Sequence, residues 1–223
     1  MAKPQVKHLS FSKESHLYTV DGLNCPGVSS ILEENGLTNY NGVHQSVLEA
    51  ASEFGDQVHK MTVLWDRSVL DVESLHPDLM GWLESWRRFC QEQDFQIDLI
   101  EAPVYSDKYY FIGTADRRGK TKKYGRVIVD IKTCTTVSPA HKLQACAYKI
   151  ANNEGIVTGN DGLYEWTQNA RHSFRVDTAL ICQLFGDGRY LYYRVDQRDE
   201  LAFIAAATLT NWRTNNKVKG LKG

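Results

Sequence analysis

The stretch from Phe111 to Ala151, FIGTADRRGKTKKYGRVIVDIKTCTTVSPAHKLQACAYKIA, decides the fold that the sequence predicts. It opens with a predicted strand that ends in the segment GTAD, where the glycine suggests a turn just before Asp116. The run RVIVDIKT is then typical of a second strand, because β-branched residues suit a pleated sheet. In such a strand Asp130 and Lys132 share one face. The apolar residues of the run alternate with them and are expected in the core: Val127, Val129 and Ile131.

A helical pattern follows this strand and begins at Pro139, a residue well suited to the first turn of a helix. Its apolar residues are expected to face inward: Leu143, Ala147 and Ile150. His141, Gln144 and Tyr148 form another stripe at three- and four-residue spacing. A polar stripe ordinarily faces solvent. Because this helix directly follows the strand with Asp130, we expect the stripe to line a groove.

A run of basic residues lies between the two predicted strands. Six positively charged residues occur there without an acidic one: Arg117, Arg118, Lys120, Lys122, Lys123 and Arg126. Two interpretations stay open, since the run is either the solvated tip of a hairpin or a phosphate-binding hairpin beside Asp116 and Asp130. A patch of the second kind would bind polyanions in a strongly salt-dependent manner.

The rest of the chain is predicted to pack around this stretch. Helical periodicity covers residues 46–66 and 77–93, and a C-terminal helix follows a capping aspartate, either Asp196 or Asp199. Alternating patterns predict hairpins over residues 8–23 and 178–196, and a strand is expected to start at Glu101. Residues 152–175 are predicted to form loops. His59 lies in the first of these helices, where a lone histidine ordinarily has no special role.

Composition bounds the class of protein. The 223 residues include 26 Lys and Arg against 27 Asp and Glu, so a polyanion site would depend on local clustering. The five cysteines are widely spaced without a C-x-x-C pair, which favours free thiols over zinc or disulfides. No apolar run follows Met1, and none is long enough to span a bilayer. The sequence therefore predicts one soluble, cytoplasmic α/β domain over residues 1–223, with an N-terminal hairpin and helix extension to about residue 45.

Asp116, Asp130 and Lys132 together suggest metal-dependent hydrolysis of a phosphodiester. Carboxylates are the ligands that Mg²⁺ and Mn²⁺ prefer, and such ions activate water and polarise the phosphate. Lys132, next to the ion, would orient the attacking water or stabilise the developing negative charge. The pattern D-x-K is common by itself, so the ordered set of motifs around it matters more.

That ordered set resembles the PD-(D/E)XK nuclease superfamily, in particular its RecB-like exonuclease branch with phage-type stand-alone exonucleases. FGDQVHKM is similar to the G-x-x-x-H motif of this branch, and GTAD is similar to its G-x-x-D motif. VDIKT matches the (D/E)-x-K strand, and QACAYKI matches the Q-x-x-x-Y motif. The motifs cover roughly residues 53–151. The resemblance implies an α/β (α+β) fold with a restriction-endonuclease-like core, in which helices flank a central mixed sheet.

The resemblance also implies roles for individual residues. The implied metal ligands are His59, Asp116, Asp130 and the backbone carbonyl of Ile131, with Lys132 as the catalytic lysine. Gln144 and Tyr148 would contact DNA near the scissile phosphate, and the basic run Arg117, Arg118, Lys120, Lys122 and Lys123 is a further candidate DNA contact. Mg²⁺ or Mn²⁺ is the implied cofactor. No iron–sulfur cluster is expected, because the cysteine set that holds one in some relatives is missing.

Two departures from the family pattern stand out. Ala115 replaces the proline before Asp116, and Asp130 stands where many relatives have glutamate. The resemblance implies a bacterial or phage enzyme acting on linear or single-stranded DNA ends in recombination, repair or replication. Its partners would be a separate single-strand annealing protein, single-strand-binding protein or helicase, and a homo-oligomer is compatible with it. Two alternatives stay open: a flap- or branch-specific endonuclease, and a non-catalytic DNA-binding module that partners a recombination protein.

Overall fold

A computed structural model describes residues 6–12, 17–38, 42–160, 162–168 and 174–218. The strands within these ranges are β1 (Val6–Ser12), β2 (Leu17–Val20), β3 (Leu23–Cys25), β4 (Gln96–Ser106), β5 (Phe111–Thr121), β6 (Gly125–Lys132), β7 (Gly155–Asn160), β8 (Leu163–Gln168), β9 (Thr178–Leu184) and β10 (Tyr190–Arg194). The helices are α1 (Val28–Glu34), α2 (Gln45–Asp66), α3 (Pro77–Glu92), α4 (Pro139–Glu154) and α5 (Gln197–Asn215).

The central sheet is mixed and has the strand order β10-β9-β6-β5-β4. Neighbouring strands within this sheet are antiparallel, except that β6 and β9 run parallel to each other. Parallel neighbours need a long crossover connection, and α4 lies within the segment that provides it. The predicted α+β fold with a central mixed sheet between helices is therefore confirmed.

Helices cover both faces of the central sheet. On one face, Val127, Val129 and Ile131 are fully buried against residues of α2 and α3, as the alternation in RVIVDIKT predicts. On the other face, Ile128 packs in a cluster built from α1, α4 and α5. The strand β6 is thus buried on both sides. None of the helices in the described ranges combines the length and apolar character that crossing a bilayer requires.

A second five-stranded sheet has the order β3-β2-β1-β8-β7 and is antiparallel throughout. Its inner face buries Leu9, Val20 and Trp166 against Tyr105 and Ile112 of the central sheet. The expectation that residues 152–175 form loops is therefore wrong for β7 and β8. Polar residues and glycines obscure the alternation there, and the partner strand β1 is far away in sequence, so long-range pairing decides the structure.

The turn predicted at GTAD is also wrong, because β5 continues without interruption from Phe111 to Thr121. Gly113 is required in the strand for a different reason. A Cβ atom at Gly113 would lie 2.7 Å from the ring of Tyr148, so only glycine lets this ring approach the sheet so closely. The strand expected to start at Glu101 starts earlier, at Gln96. The turn between β5 and β6 lies at residues 122–124.

Other predicted elements are confirmed within a few residues. The helices α2, α3, α4 and α5 match the predicted periodic segments. Asp196, one of the two predicted caps, is the N-cap of α5 and accepts hydrogen bonds from the backbone of Arg198 and Asp199. Strands β9 and β10 form the predicted hairpin.

Replacing either of two helical glycines with alanine should change the free energy of unfolding, in opposite directions at the two positions. At Gly81 of α3 a Cβ atom would overlap the backbone carbonyl of Gly186, so Gly81→Ala should lower the free energy of unfolding by about 1–3 kcal/mol. At Gly55 of α2 the nearest atom is the Thr133 hydroxyl oxygen, at an ordinary contact distance of 3.5 Å. Gly55→Ala should therefore raise the free energy of unfolding by about 0.5–1 kcal/mol. Urea titrations of both variants test this packing, and equal effects at the two positions would contradict it.

Candidate metal centre

The candidate site lies where the pairing of β5 with β6 ends. The last pair of the ladder is Arg117↔Val129, and Asp116 and Asp130 follow directly beyond it. There the carboxylate of Asp116 replaces a ladder partner, because its Oδ2 accepts a hydrogen bond from the backbone N–H of Ile131 at 2.7 Å. The end of the ladder thus places two buried carboxylates on neighbouring strands.

Three potential ligands from three different elements meet at this point. His59 of α2, Glu101 of β4 and Asp116 of β5 each offer a donor atom, and these atoms all lie within 4.8 Å of one another. His59 Nδ1 is 3.7 Å from Asp116 Oδ2 and 4.0 Å from Glu101 Oε1. We call this group the ligand trio. The structure brings His59 and Asp116 together as the sequence predicts.

The other ring nitrogen of His59, Nε2, contacts a backbone carbonyl that holds the ring in one orientation. His59 Nε2 lies 3.1 Å from the carbonyl oxygen of Ile131. If Nε2 carries the proton and donates it to this carbonyl, Nδ1 has a free lone pair that faces the two carboxylates, which is the usual way to orient a ligating histidine. The Ile131 carbonyl, predicted as a metal ligand, is in this arrangement a neighbour of His59.

Glu101 is the member of the trio that the sequence alone does not single out. It lies between the pairs Ile100↔Arg117 and Ala102↔Ala115, which places it opposite Asp116. Its backbone has φ +49°, a left-handed conformation that is uncommon for a residue with a side chain and often marks a functional site. An acidic residue in the strand before GTAD is the available sequence signal. Which residue of that strand faces Asp116 depends on the register of the β4–β5 pairing, which the sequence does not state.

Asp130 and Lys132 form an ion pair beside the trio. Lys132 Nζ lies 2.9 Å from Asp130 Oδ2, and Asp130 is completely buried. Apart from this ion pair, neither carboxylate oxygen has a hydrogen-bond partner among the described residues. Buried polar atoms are ordinarily satisfied, so two such oxygens are unusual. Asp130 itself is not in the trio and lies next to it.

The charges of the site shift several pKa values. Burial raises the pKa of Asp130 to about 6, with the nearby Asp116 adding to the rise and Lys132 opposing it. Burial lowers the pKa of Lys132, but Asp130 and Asp116 outweigh it and the net shift is upward. For His59, burial likewise lowers the pKa, yet Asp116 and Glu101 raise it to about 9. The neighbouring carboxylates thus raise the pKa values of His59 and Lys132, whereas the pKa of Asp130 rises mainly because of burial.

The predicted groove residues lie on the α4 side of the site. Gln144 donates a hydrogen bond from Nε2 to the Tyr148 hydroxyl at 2.8 Å. Tyr148 is almost fully buried, and burial together with the charges of Asp130 and Asp116 raises its pKa well above the usual value. Tyr148 therefore lies close to both aspartates, and its hydroxyl accepts the hydrogen bond that holds the Gln144 amide.

Arg117 and Arg118 do not belong to an exposed basic hairpin. Arg117 is fully buried and donates to Asp66 at 2.6 Å, and Arg118 donates to Asp98 at 2.7 Å. The DNA contact predicted for these two arginines is therefore wrong, because β5 extends through them and their charges are already paired inside the fold.

The three lysines of the predicted basic hairpin are exposed. Lys120 lies near the end of β5, and Lys122 and Lys123 are in the following turn. At about 3.3 Å per residue, Lys122 is about 20 Å along the strand from Asp116. These lysines are therefore not beside the candidate metal centre, and a DNA contact by them stays a prediction.

No protein-family model matches this chain, and no curated protein is significantly similar.

The donor set fits a hard divalent cation. Two carboxylates and one imidazole nitrogen form the trio, and the unsatisfied oxygens of Asp130 lie next to it. Oxygen-rich sites of this kind suit Mg²⁺ and Mn²⁺, and the absence of a cysteine from the group disfavours a thiolate site. The site therefore combines ligands for a cation with a nearby ammonium group, that of Lys132.

His141, the third member of the predicted groove stripe, caps α4 instead. Its Nδ1 accepts a hydrogen bond from the Ser138 backbone N–H at 3.2 Å, which requires a neutral ring. Burial and the charge of Lys132 lower the pKa of His141 from 6.5 to about 4. Since the unfolded chain then takes up a proton first, the stabilisation is complete above about pH 6.5 and is lost as the pH falls towards 4.

His141→Gln should remove this part of the pH dependence. A glutamine at the same position still accepts the Ser138 hydrogen bond but does not titrate. Between pH 7 and pH 5 the free energy of unfolding of the wild type should fall by about 1 kcal/mol more than that of the variant, a value reduced for solvent screening of the partly exposed ring. Urea titrations at both pH values measure the difference. Identical pH dependence in the two proteins would show that His141 does not act in this way.

Proposed function

We propose that the protein is a metal-dependent deoxyribonuclease of the PD-(D/E)XK type, with exonuclease activity of the RecB-like branch. The observation that carries the proposal is the meeting of His59, Glu101 and Asp116 within 4.8 Å, directly beside the buried Asp130–Lys132 pair. These residues come from α2 and from the three consecutive strands β4, β5 and β6. The sequence motifs imply that His59, Asp116, Asp130 and Lys132 belong to one phosphodiesterase site, and Glu101 joins them in the structure.

The position of the D-x-K strand also supports the proposal. β6 lies in the middle of the central sheet, between the antiparallel β5 and the parallel β9. The helix α4 with Gln144 and Tyr148 follows it and packs on the same sheet. A strand buried on both faces provides a rigid support for Asp130 and Lys132, and rigid elements hold reactive groups more accurately than loops do.

Each residue of the site has a role that its placement supports. The trio would hold the cation, which when bound supplies an activated water and an electrophilic contact to the phosphate. Lys132 presents an ammonium group that stabilises negative charge as it develops on the phosphate oxygens. Asp130 holds this ammonium group in place at 2.9 Å. Gln144, whose amide donates to the Tyr148 hydroxyl, would contact the nucleic acid backbone.

Lys132→Ala should lower the rate of DNA hydrolysis by about 10²–10³-fold, because it removes a charge aimed at the transition state. The measurement is a time course on 5′- and 3′-end-labelled single- and double-stranded DNA in Mg²⁺ and in Mn²⁺. Lys108→Ala is the matched control, since Lys108 is an exposed lysine in the turn before β5. It should keep the wild-type rate.

The same assay separates the alternatives. Covalently closed circles should stay intact, and their cleavage, or internal cuts in flap substrates, would identify an endonuclease instead. DNA binding without hydrolysis in either metal would favour the non-catalytic module. If the wild type and Lys132→Ala both leave every substrate intact, the proposed activity is refuted.

Metal binding can be measured without DNA. Asp116→Asn should weaken Mn²⁺ binding at least about tenfold by isothermal titration calorimetry, because a negatively charged ligand is lost. Asp98→Asn is the control: Asp98 is on β4, like Glu101, but pairs with Arg118 and lies outside the trio. Equal Mn²⁺ affinity in these two variants would contradict the assignment of Asp116 as a ligand.

A further inference from the structure

One buried guanidinium group contacts all three elements that present the ligand trio. Arg117 donates from Nη1 to Glu101 Oε1 at 3.1 Å and to the Asp116 carbonyl oxygen at 2.6 Å. From Nη2 it donates to the Thr62 hydroxyl at 2.9 Å. Thr62 in turn donates to the carbonyl oxygen of His59 at 2.8 Å. Each member of the trio is therefore one or two hydrogen bonds away from Arg117.

The hydrogen bonds of Arg117 and Thr62 hold different parts of the site, one a side chain and the others the backbone. The bond to Glu101 fixes a side chain, since it holds one oxygen of the carboxylate that faces His59. The bonds to Asp116 and, through Thr62, to His59 fix the backbone at the points where two ligand side chains begin. A planar guanidinium has several N–H donors in a fixed geometry, so it can donate hydrogen bonds in three directions at once. The ammonium group of a lysine lacks this geometry.

A cation-binding site ordinarily excludes an arginine, because like charges repel. Here the charge of Arg117 is compensated on its far side. Its Nε donates to Asp66 Oδ2 at 2.6 Å, and the other oxygen of Asp66 accepts from Trp86 Nε1 at 2.9 Å. Asp66 is buried together with Arg117. The pair is neutral as a unit, so the negative charges of Glu101 and Asp116 are still available to a cation.

We infer that Arg117 is the positioning residue of the metal centre, with Thr62 as its link to His59 and Asp66 as its counter-charge. The inference rests on the proposed function only in that the trio binds a divalent cation. Arg117 and Thr62 are not members of the trio. They set the separation and direction of its ligands, so the affinity for metal depends on them although they supply no ligand atom themselves.

The test is Mn²⁺ affinity, measured by calorimetry on folded protein without DNA. Arg117→Lys keeps the charge but loses the planar fork and should raise the Kd for Mn²⁺ about 10- to 100-fold. Thr62→Val keeps the shape but loses the hydroxyl and should raise the Kd about tenfold. Thr62→Ser restores the hydroxyl and should bind Mn²⁺ like the wild type. Rescue by serine separates positioning from packing.

Arg118→Lys is the matched control for Arg117→Lys. Arg118 is the next residue of β5 and is also ion-paired, but its partners are Asp98 and Asn152, outside the trio. Arg118→Lys should leave the Kd for Mn²⁺ unchanged, and urea titration of all variants separates lost stability from lost affinity. Should Arg117→Lys not fold, the two Thr62 variants still decide the question, because they change a single hydroxyl.

The outcomes distinguish this inference from the proposed nuclease. Wild-type Mn²⁺ affinity in both Arg117→Lys and Thr62→Val would overturn the positioning role and leave the nuclease proposal intact. Equal weakening in Thr62→Ser and Thr62→Val would overturn the link through the hydroxyl. If the wild-type protein itself binds no Mn²⁺, the metal centre and the positioning role are both refuted.

Discussion

The ion pair between Arg117 and Asp66 connects the helical layer to the central sheet, and the candidate site depends on it. Asp66 is the last residue of α2, and Arg117 is the first residue of β5 that pairs with β6. Both side chains are buried, so each needs the other: removing one partner of such a pair costs about 3–5 kcal/mol, since the remaining charge has nothing to balance it. The pair therefore fixes how α2 lies on the sheet, and with it the distance from His59 to Asp116.

The sequence predicts those parts of the fold that local patterns determine. The run from Val127 to Ile131 alternates clearly, and Pro139 and Asp196 begin the helices that their residue types favour. His59, Asp116, Asp130 and Lys132 are grouped into one site only by the resemblance to nuclease motifs, which implies that His59 and Asp116 bind the same metal. How α2 packs against the sheet to bring these two residues to 3.7 Å is visible only in three dimensions.

Other features depend on contacts between distant residues, and the sequence does not reveal them. Glu101 faces Asp116 because of the register in which β4 pairs with β5. Strands β7 and β8 have weak alternation; β7 pairs with β8, and β8 pairs with the distant strand β1. Arg117 looks like one more charge in a basic run, because its partner Asp66 lies 51 residues earlier.

The charge balance of the buried site is the strongest physical reason to regard it as functional. Four carboxylates meet there, those of Asp66, Glu101, Asp116 and Asp130, and they face two cationic side chains, Arg117 and Lys132. His59, with a pKa of about 9, is protonated at neutral pH, so the group has an excess of one negative charge, and burying uncompensated charge is expensive. The raised pKa of His59 is a consequence of the surrounding carboxylates, whereas the raised pKa of Asp130 comes mainly from burial, with Asp116 adding to it. A divalent cation between the carboxylates would remove this excess of negative charge, whereas a purely structural cluster would gain stability by replacing these acids with apolar residues.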